Sequence, residues 1–315
     1  MIDPNEQNFI IKLLKLLNSD SKINFKNIAK KLNITRQTLL NKIEKITQEN
    51  IIKNYSINVN PNIRPNLKYV ILEIKTNPKE PDLVNNLLKI PQLTMLDGIL
   101  GEFSLIVLFI FKDVQEFNAV LKIIDEIMSN SHFKKYQFVE PIKVFKTSGI
   151  MIEEFKIDET VKIDELDFTI LKILKEEQGS KLISTYEIKN KIKNDTSQST
   201  IYNRIKKLED AGIILNYAMN FCPPKIGFNG KFIVRIKPKY PSKYDELAIN
   251  LMKKEEISDL YRIGEQYGLF AIVRVKKVED YALFIRRLYE TEEIEDTFTN
   301  FVLDELKTYT NFVLY

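Results

Sequence analysis

Asn41-Lys42-Ile43-Glu44-Lys45-Ile46 and Asn203-Arg204-Ile205-Lys206-Lys207-Leu208 align residue for residue at an offset of 162. The match continues with Ile51-Ile52-Lys53-Asn54-Tyr55 against Ile213-Ile214-Leu215-Asn216-Tyr217. Upstream, Ile2-Asp3 matches Ile163-Asp164 at offset 161; downstream, Val114-Gln115-Glu116-Phe117 matches Val278-Glu279-Asp280-Tyr281 at offset 164. Self-similarity held at one spacing marks a repeated unit. Two copies of ~150 residues, joined near Thr147 to Lys162, account for the 315-residue chain.

Each copy reads in the same order. In the first, Phe9, Ile10, Leu13, Leu14 and Leu17 recur at helical spacing. Phe25 to Leu32 makes a short second helix, Asn33-Ile34 a tight turn, and Thr35 an N-cap for a third helix with Leu39, Leu40, Ile43 and Ile46 inside. Tyr55 to Val59 alternates as a strand, the extended wing of the module, and Pro61 and Pro65 mark a linker. The remainder reads β-α-β-β-α-β: Tyr69–Ile74, a helix with Leu83 and Leu87, Leu93–Ile99, Ser104–Phe111, a helix from Val114 to Ile127, and Phe138–Phe145. The second copy repeats it as Phe232–Ile236, Tyr244–Leu251, Ile257–Ile263, Leu269–Val275, Val278–Leu288 and Phe298–Leu303. The fold class expected is α+β: two winged helix-turn-helix modules (1–60 and 163–222) alternating with two ferredoxin-like domains (66–147 and 229–315).

Composition removes most catalytic classes. Only 9 Gly are present, no G-x-G-x-x-G occurs, and the single Gly230-Lys231 pair lacks the rest of a phosphate-binding loop. One His and one Cys exclude an intrachain disulfide and the usual four-ligand zinc site. His132 has no G-x-S-x-G partner motif and reads as a loop residue; Cys222, before Pro223-Pro224, reads as a linker or packing residue. No metal or other cofactor is expected. The longest apolar run, Leu105 to Phe111, is too short to cross a bilayer, and no secretory signal opens the chain, so a cytoplasmic protein is expected.

The net charge of +4 is unevenly placed. Lys22 to Lys53 carries eight basic residues against Glu44 and Glu49; Lys181 to Lys207 carries seven against Glu187 and Asp195. Positive charge therefore gathers on the helical modules, where a duplex would sit, and phosphate neutralisation supplies much of DNA affinity. In a helix-turn-helix the early residues of the second helix of the motif reach base edges. The candidates are Thr35, Arg36, Gln37, Leu40 and Asn41 in the first copy, and Ser197, Gln198, Ser199, Tyr202 and Asn203 in the second. Arg suits guanine, and Gln or Asn suits adenine. Lys42, Lys45, Arg204, Lys206 and Lys207 are expected on phosphates.

These stretches, Ile2-Asp3…Leu13, Ile28-Ala29…Leu32-Asn33-Ile34-Thr35 and Ile43…Ile51-Ile52…Tyr55, resemble the Lrp/AsnC (feast/famine) transcription regulators, and they resemble them twice along the chain. The resemblance implies a sequence-specific, double-stranded-DNA-binding regulator without catalytic activity. It implies that the β-α-β-β-α-β parts bind an amino acid or similar effector and mediate dimerisation. The family carries a Gly-x-aromatic-Asp stretch between its middle strands; here it reads Gly101-Glu102-Phe103-Ser104 and Gly264-Glu265-Gln266-Tyr267-Gly268, without the Asp. Gly101, Glu102, Gly264 and Glu265 are the candidate ligand residues, the alternative being a turn that needs glycine's backbone freedom. A homodimer is expected, because a single chain would leave apolar sheet faces partly covered. The rival reading is a siroheme decarboxylase-like enzyme, an architecture that includes fused forms and that implies His and Arg side chains near a tetrapyrrole.

Overall fold

The computed structural model describes residues 3–18, 24–63, 67–77, 79–154, 157–158, 160–179, 181–192 and 196–314. Ile2, Lys22, Pro65, Lys193 and Asp195, used in the sequence reading, lie outside them. In chain order the elements are α1 (Pro4–Asn18), α2 (Phe25–Lys31), α3 (Arg36–Gln48), β1 (Ile52–Val59), β2 (Lys68–Lys75), α4 (Pro81–Leu88), β3 (Leu93–Ile99), β4 (Leu105–Phe111), α5 (Val114–Ser129), β5 (Lys135–Val139), β6 (Pro141–Thr147) and β7 (Ile150–Met151). They continue with α6 (Glu165–Glu176), α7 (Thr185–Lys191), α8 (Gln198–Asp210), β8 (Ile214–Phe221), β9 (Gly230–Pro238), α9 (Tyr244–Met252), β10 (Ile257–Ile263), β11 (Leu269–Val275), α10 (Asp280–Tyr289) and β12 (Ile294–Glu305). Contacts gather these into two compact units, one of Met1–Ile63, Ser148–Gly227 and Tyr309–Tyr315, the other of Arg64–Thr147 and Phe228–Thr308.

The first unit is helical. Thr35 caps α3 as expected, its side chain accepting the Thr38 N–H, and Asn33 turns the chain before it at φ +54°, a left-handed conformation that Asn tolerates. The wing departs from expectation. A wing is a hairpin beside the third helix, whereas β1 pairs antiparallel with β8, the equivalent strand of the other copy. Edge strands seek partners, and each copy supplies the other's. The pairing merges the cores: Ile57 of β1 is buried with Ile170, Leu174, Ile201 and Leu208 of α6 and α8. Asn18 at the end of α1 accepts the Met219 N–H of β8 at 3.0 Å, and the Asn216 side chain donates to the Asn18 carbonyl at 2.6 Å.

The second unit is a sheet with strand order β5-β2-β4-β3-β12-β9-β11-β10-β6. Alternation along β2 sends Val70, Leu72 and Ile74 to a core with Leu83 and Leu87 of α4 and Val120 and Ile124 of α5. The opposite face sends Ile71, Met95, Ile106 and Leu108 against Ile233, Tyr261, Phe270 and Ile272 from the second copy. Two strands tie the halves together. The twelve-residue β12 pairs with β9 through Phe301 and with β3 from Val302 onward. The expected closing strand Phe138–Phe145 divides at Glu140 into β5, which pairs with β2, and β6, which pairs with β10 of the other copy. The faces that motivated a homodimer are thus covered within one chain.

Candidate nucleic-acid interface and effector cavity

On α3, Arg36, Gln37 and Asn41 are exposed, and the Gln37 amide donates to the Asn41 side-chain oxygen at 2.8 Å. Leu40 is half-buried. On α8, Ser197 is the N-cap, Ser199 and Asn203 are exposed, and Tyr202 is 57% exposed. The Gln198 amide donates to the Thr185 hydroxyl at 2.9 Å, which ties the start of α8 to α7. Both helices therefore present polar N-terminal faces to solvent, as base readout requires.

The basic residues expected on phosphates differ in their surroundings. Arg204 pairs with Asp164 at 2.6 Å and Asp167 at 3.2 Å, and Lys207 pairs with Asp167 at 2.5 Å. Asp164 and Asp167 form the capping box of α6, so these two cations clamp α8 onto the start of that helix. Lys45 pairs with Glu6 and Glu49, and the Lys42 ammonium lies 4.4 Å from the Phe9 ring centroid. Intramolecular partners hold these four side chains because the first helix of each copy places acidic or aromatic residues beneath them. Lys206, the remaining phosphate candidate on α8, is exposed.

In the second unit, the turns Gly101-Glu102 and Gly264-Glu265 approach one cavity of about 220 Å³. Glu102 and Glu265 line it with Glu73, Gln137, Arg235 and Asn300, and with the rings of Phe103, Tyr267 and Phe298. Gly264 and Gly101 sit in the turns behind; a Cβ on Gly101, whose φ is +157°, would come within 2.6 Å of the Asn300 amide nitrogen. Period two places Lys231, Ile233 and Arg235 of β9 on one face. Arg235, 6% exposed, pairs with Glu73 at 2.5 Å and with Glu265 at 2.6 Å. Glu73 also accepts the Gln137 amide at 2.7 Å. Burial pushes the Glu265 carboxyl up; Arg235 opposes that rise and Glu73 adds to it. Glu102 accepts from Lys135 at 2.6 Å, which holds its carboxyl low.

Sequence reasoning named Glu102 and Glu265 but missed Glu73, Arg235, Asn300 and Phe298. The signal was a lone charge inside each of two apolar strands, Glu73 in Tyr69–Ile74 and Arg235 in Phe232–Ile236; a buried charge needs a partner. At the other end of this face, Lys231 pairs with Asp97 at 2.6 Å and Glu305 at 3.2 Å, and Arg274 holds Glu305 through two bonds of 2.9 and 2.7 Å. Among the described residues no group of three His, Cys, Asp or Glu is placed to hold a metal ion, and no helix is long and apolar enough to cross a membrane.

A profile of the Lrp/AsnC ligand-binding domain matches residues 231–312, and a helix-turn-helix profile matches residues 8–62. The HTH-type transcriptional regulator FL11 of Pyrococcus abyssi is 32% identical over 143 residues, 45% of this chain and 91% of FL11. The chain belongs to the Lrp/AsnC family. It is a family member of double length: the HTH-type transcriptional regulator Ptr1 of Methanocaldococcus jannaschii, 29% identical, likewise matches over 46% of this chain and 95% of its own. The crystal structure of the siroheme decarboxylase NirDL superposes over 98% of this chain and 94% of its own with a TM-score of 0.62, at 14% identity. At that identity the likeness is one of fold.

Proposed function

We propose that this Lrp/AsnC protein is a non-enzymatic, sequence-specific transcriptional regulator in cytoplasm. In this reading its two helix-turn-helix modules read duplex DNA and its two ferredoxin-like domains share one effector cavity. The observation that carries it is the pair of exposed polar faces at the starts of α3 and α8 in a chain of this family. Arg36, Gln37 and Asn41 serve as base readers of the first half-site, and Ser199, Tyr202 and Asn203 as those of the second. Unlike side chains imply unlike half-sites, so the operator is not a perfect palindrome within one chain's footprint. The effector is a small molecule bearing an ammonium group, an amino acid or a related compound, held near Glu265 and Glu102. Pairing of the ferredoxin-like domains inside the chain takes the place of a homodimer.

The test is selection of bound sequences from a random DNA pool, followed by Arg36→Ala with Gln37→Ala. Each lost base contact costs ~1–3 kcal/mol of specific binding, and specific binding weakens more than non-specific binding. An unaltered footprint and affinity in the double variant would refute the reader assignment.

The whole-chain fold likeness to NirDL favours a second reading, a tetrapyrrole enzyme. Two features weigh against it. His132, the single histidine, is exposed in a loop and is not among the cavity residues. The cavity of about 220 Å³ lies below the ~300–1,000 Å³ of sites for drug-sized ligands. An absorbance change on incubation with siroheme would favour the enzyme.

A further inference from the structure

The cavity carries more negative charge than its own cation neutralises. Arg235 stands between two carboxylates, Glu73 and Glu265, and its third nitrogen faces the Asn300 side-chain oxygen at 3.4 Å. A guanidinium recognises carboxylates through its fork of N–H donors; in Arg235 one terminal nitrogen donates to Glu73 and the other to Asn300, while the Nε lies 2.6 Å from a Glu265 oxygen with no hydrogen bond formed between them. An incoming carboxylate therefore meets an occupied arginine and two like charges. An incoming ammonium meets the reverse: carboxylate oxygens of Glu265 and Glu73, the rim carboxylate of Glu102, which Lys135 already partners, and three aromatic rings. Ring faces attract cations, and this geometry already occurs here. The Arg235 guanidinium lies 5.6 Å from the Phe298 centroid, and the Lys135 ammonium 5.2 Å from that of Phe103.

We propose that the cavity selects a small organic ammonium without a carboxylate, a primary monoamine or diamine, over the corresponding zwitterionic amino acid. The proposal rests on the effector-cavity reading above and narrows its ligand class. The carboxylate of an amino acid gains its usual guanidinium partner only by displacing Glu73 or Glu265 from Arg235. The amine has no such requirement.

Calorimetric titration of the full chain with matched pairs tests this: 1,5-diaminopentane against L-lysine, and 3-methylbutylamine against L-leucine. Each pair differs by one carboxylate. The expected result is at least one amine binding tenfold or more tightly than its amino acid, with Glu265→Gln weakening that amine tenfold or more. The comparison within a pair uses the unmodified protein, so it stands if the variant fails to fold. Amino acids binding as tightly as their amines overturns the selectivity and leaves the effector cavity intact. Silence from all four compounds overturns it too; silence from every standard amino acid besides removes the effector reading. Amine binding that Glu265→Gln leaves unchanged, in a variant that folds, overturns the assignment to this cavity.

Discussion

Replacing Arg204 and Lys206 separately by alanine distinguishes a clamp from a phosphate contact on the same helix. Arg204 is engaged with Asp164 and Asp167, Asp164 being 57% exposed and Asp167 fully buried. Arg204→Ala does not orphan Asp167, which keeps Lys207 at 2.5 Å. The loss is therefore that of charged hydrogen bonds, about 1–2 kcal/mol, rather than the ~3–5 kcal/mol of a buried charge left alone. The exposure of Asp164 puts it toward the low end. For a unit of this size that is a fall of ~2–4 °C per kcal/mol in melting temperature. The slope of log affinity against log salt should stay where it is, since the charge was already neutralised. Lys206→Ala should do the opposite: unchanged stability and a salt slope shallower by about 0.9, one phosphate's worth of released counterion. Calorimetric melting and fluorescence titration at several salt concentrations read both quantities. A shallower slope for Arg204→Ala without a change in melting refutes the clamp.

Ile57→Ala opens a cavity in the core formed with α6 and α8, at ~2–5 kcal/mol. Hydrogen exchange should quicken in those helices of the second copy; acceleration confined to α1–α3 contradicts the shared core. Burial raises the Glu305 carboxyl, but attraction to Arg274 and Lys231 outweighs this and brings it down to about 2. A depressed carboxyl contributes stability above its unfolded value, so this contribution is lost as pH falls from about 4.5 toward 2. Asp97, raised by burial beside the same cations, works against that loss. Glu305→Gln should flatten acid unfolding in this window, and an unchanged acid profile would count against the cluster. With the sheet faces covered within the chain, light scattering at micromolar concentration should return a mass near 37.0 kDa. A value near twice that restores the homodimer.

Local pattern made much of this fold legible. The α3 helix begins at its expected cap, and β3, β10 and β11 have the expected ends. These elements are decided by neighbours a few residues away. What stayed hidden depends on partners more than a hundred residues distant. Period two marks Tyr55–Val59 as a strand but cannot say that β8 completes it. A single apolar stretch ending at Phe145 hides the division at Glu140 that sends β6 to the other copy. In the cavity, the turn glutamates were visible through their glycines, whereas Glu73 and Arg235 explain each other only once β2 and β9 face one another.

Glu73 and Arg235 are 162 positions apart, the same spacing that aligns the two helical stretches. In an assembly of two identical chains, a residue that meets its own counterpart across the axis meets a like side chain. Glutamate would face glutamate, or arginine would face arginine, with a repulsion of ~4 kcal/mol at contact distance in a protein-like medium. Covalent joining lifts that restriction. The two halves are free to become lock and key, one acidic and one basic at corresponding places, and each then fits the other better than itself. At this position, then, each half offers the other an opposite charge where a second copy of itself would offer a like one.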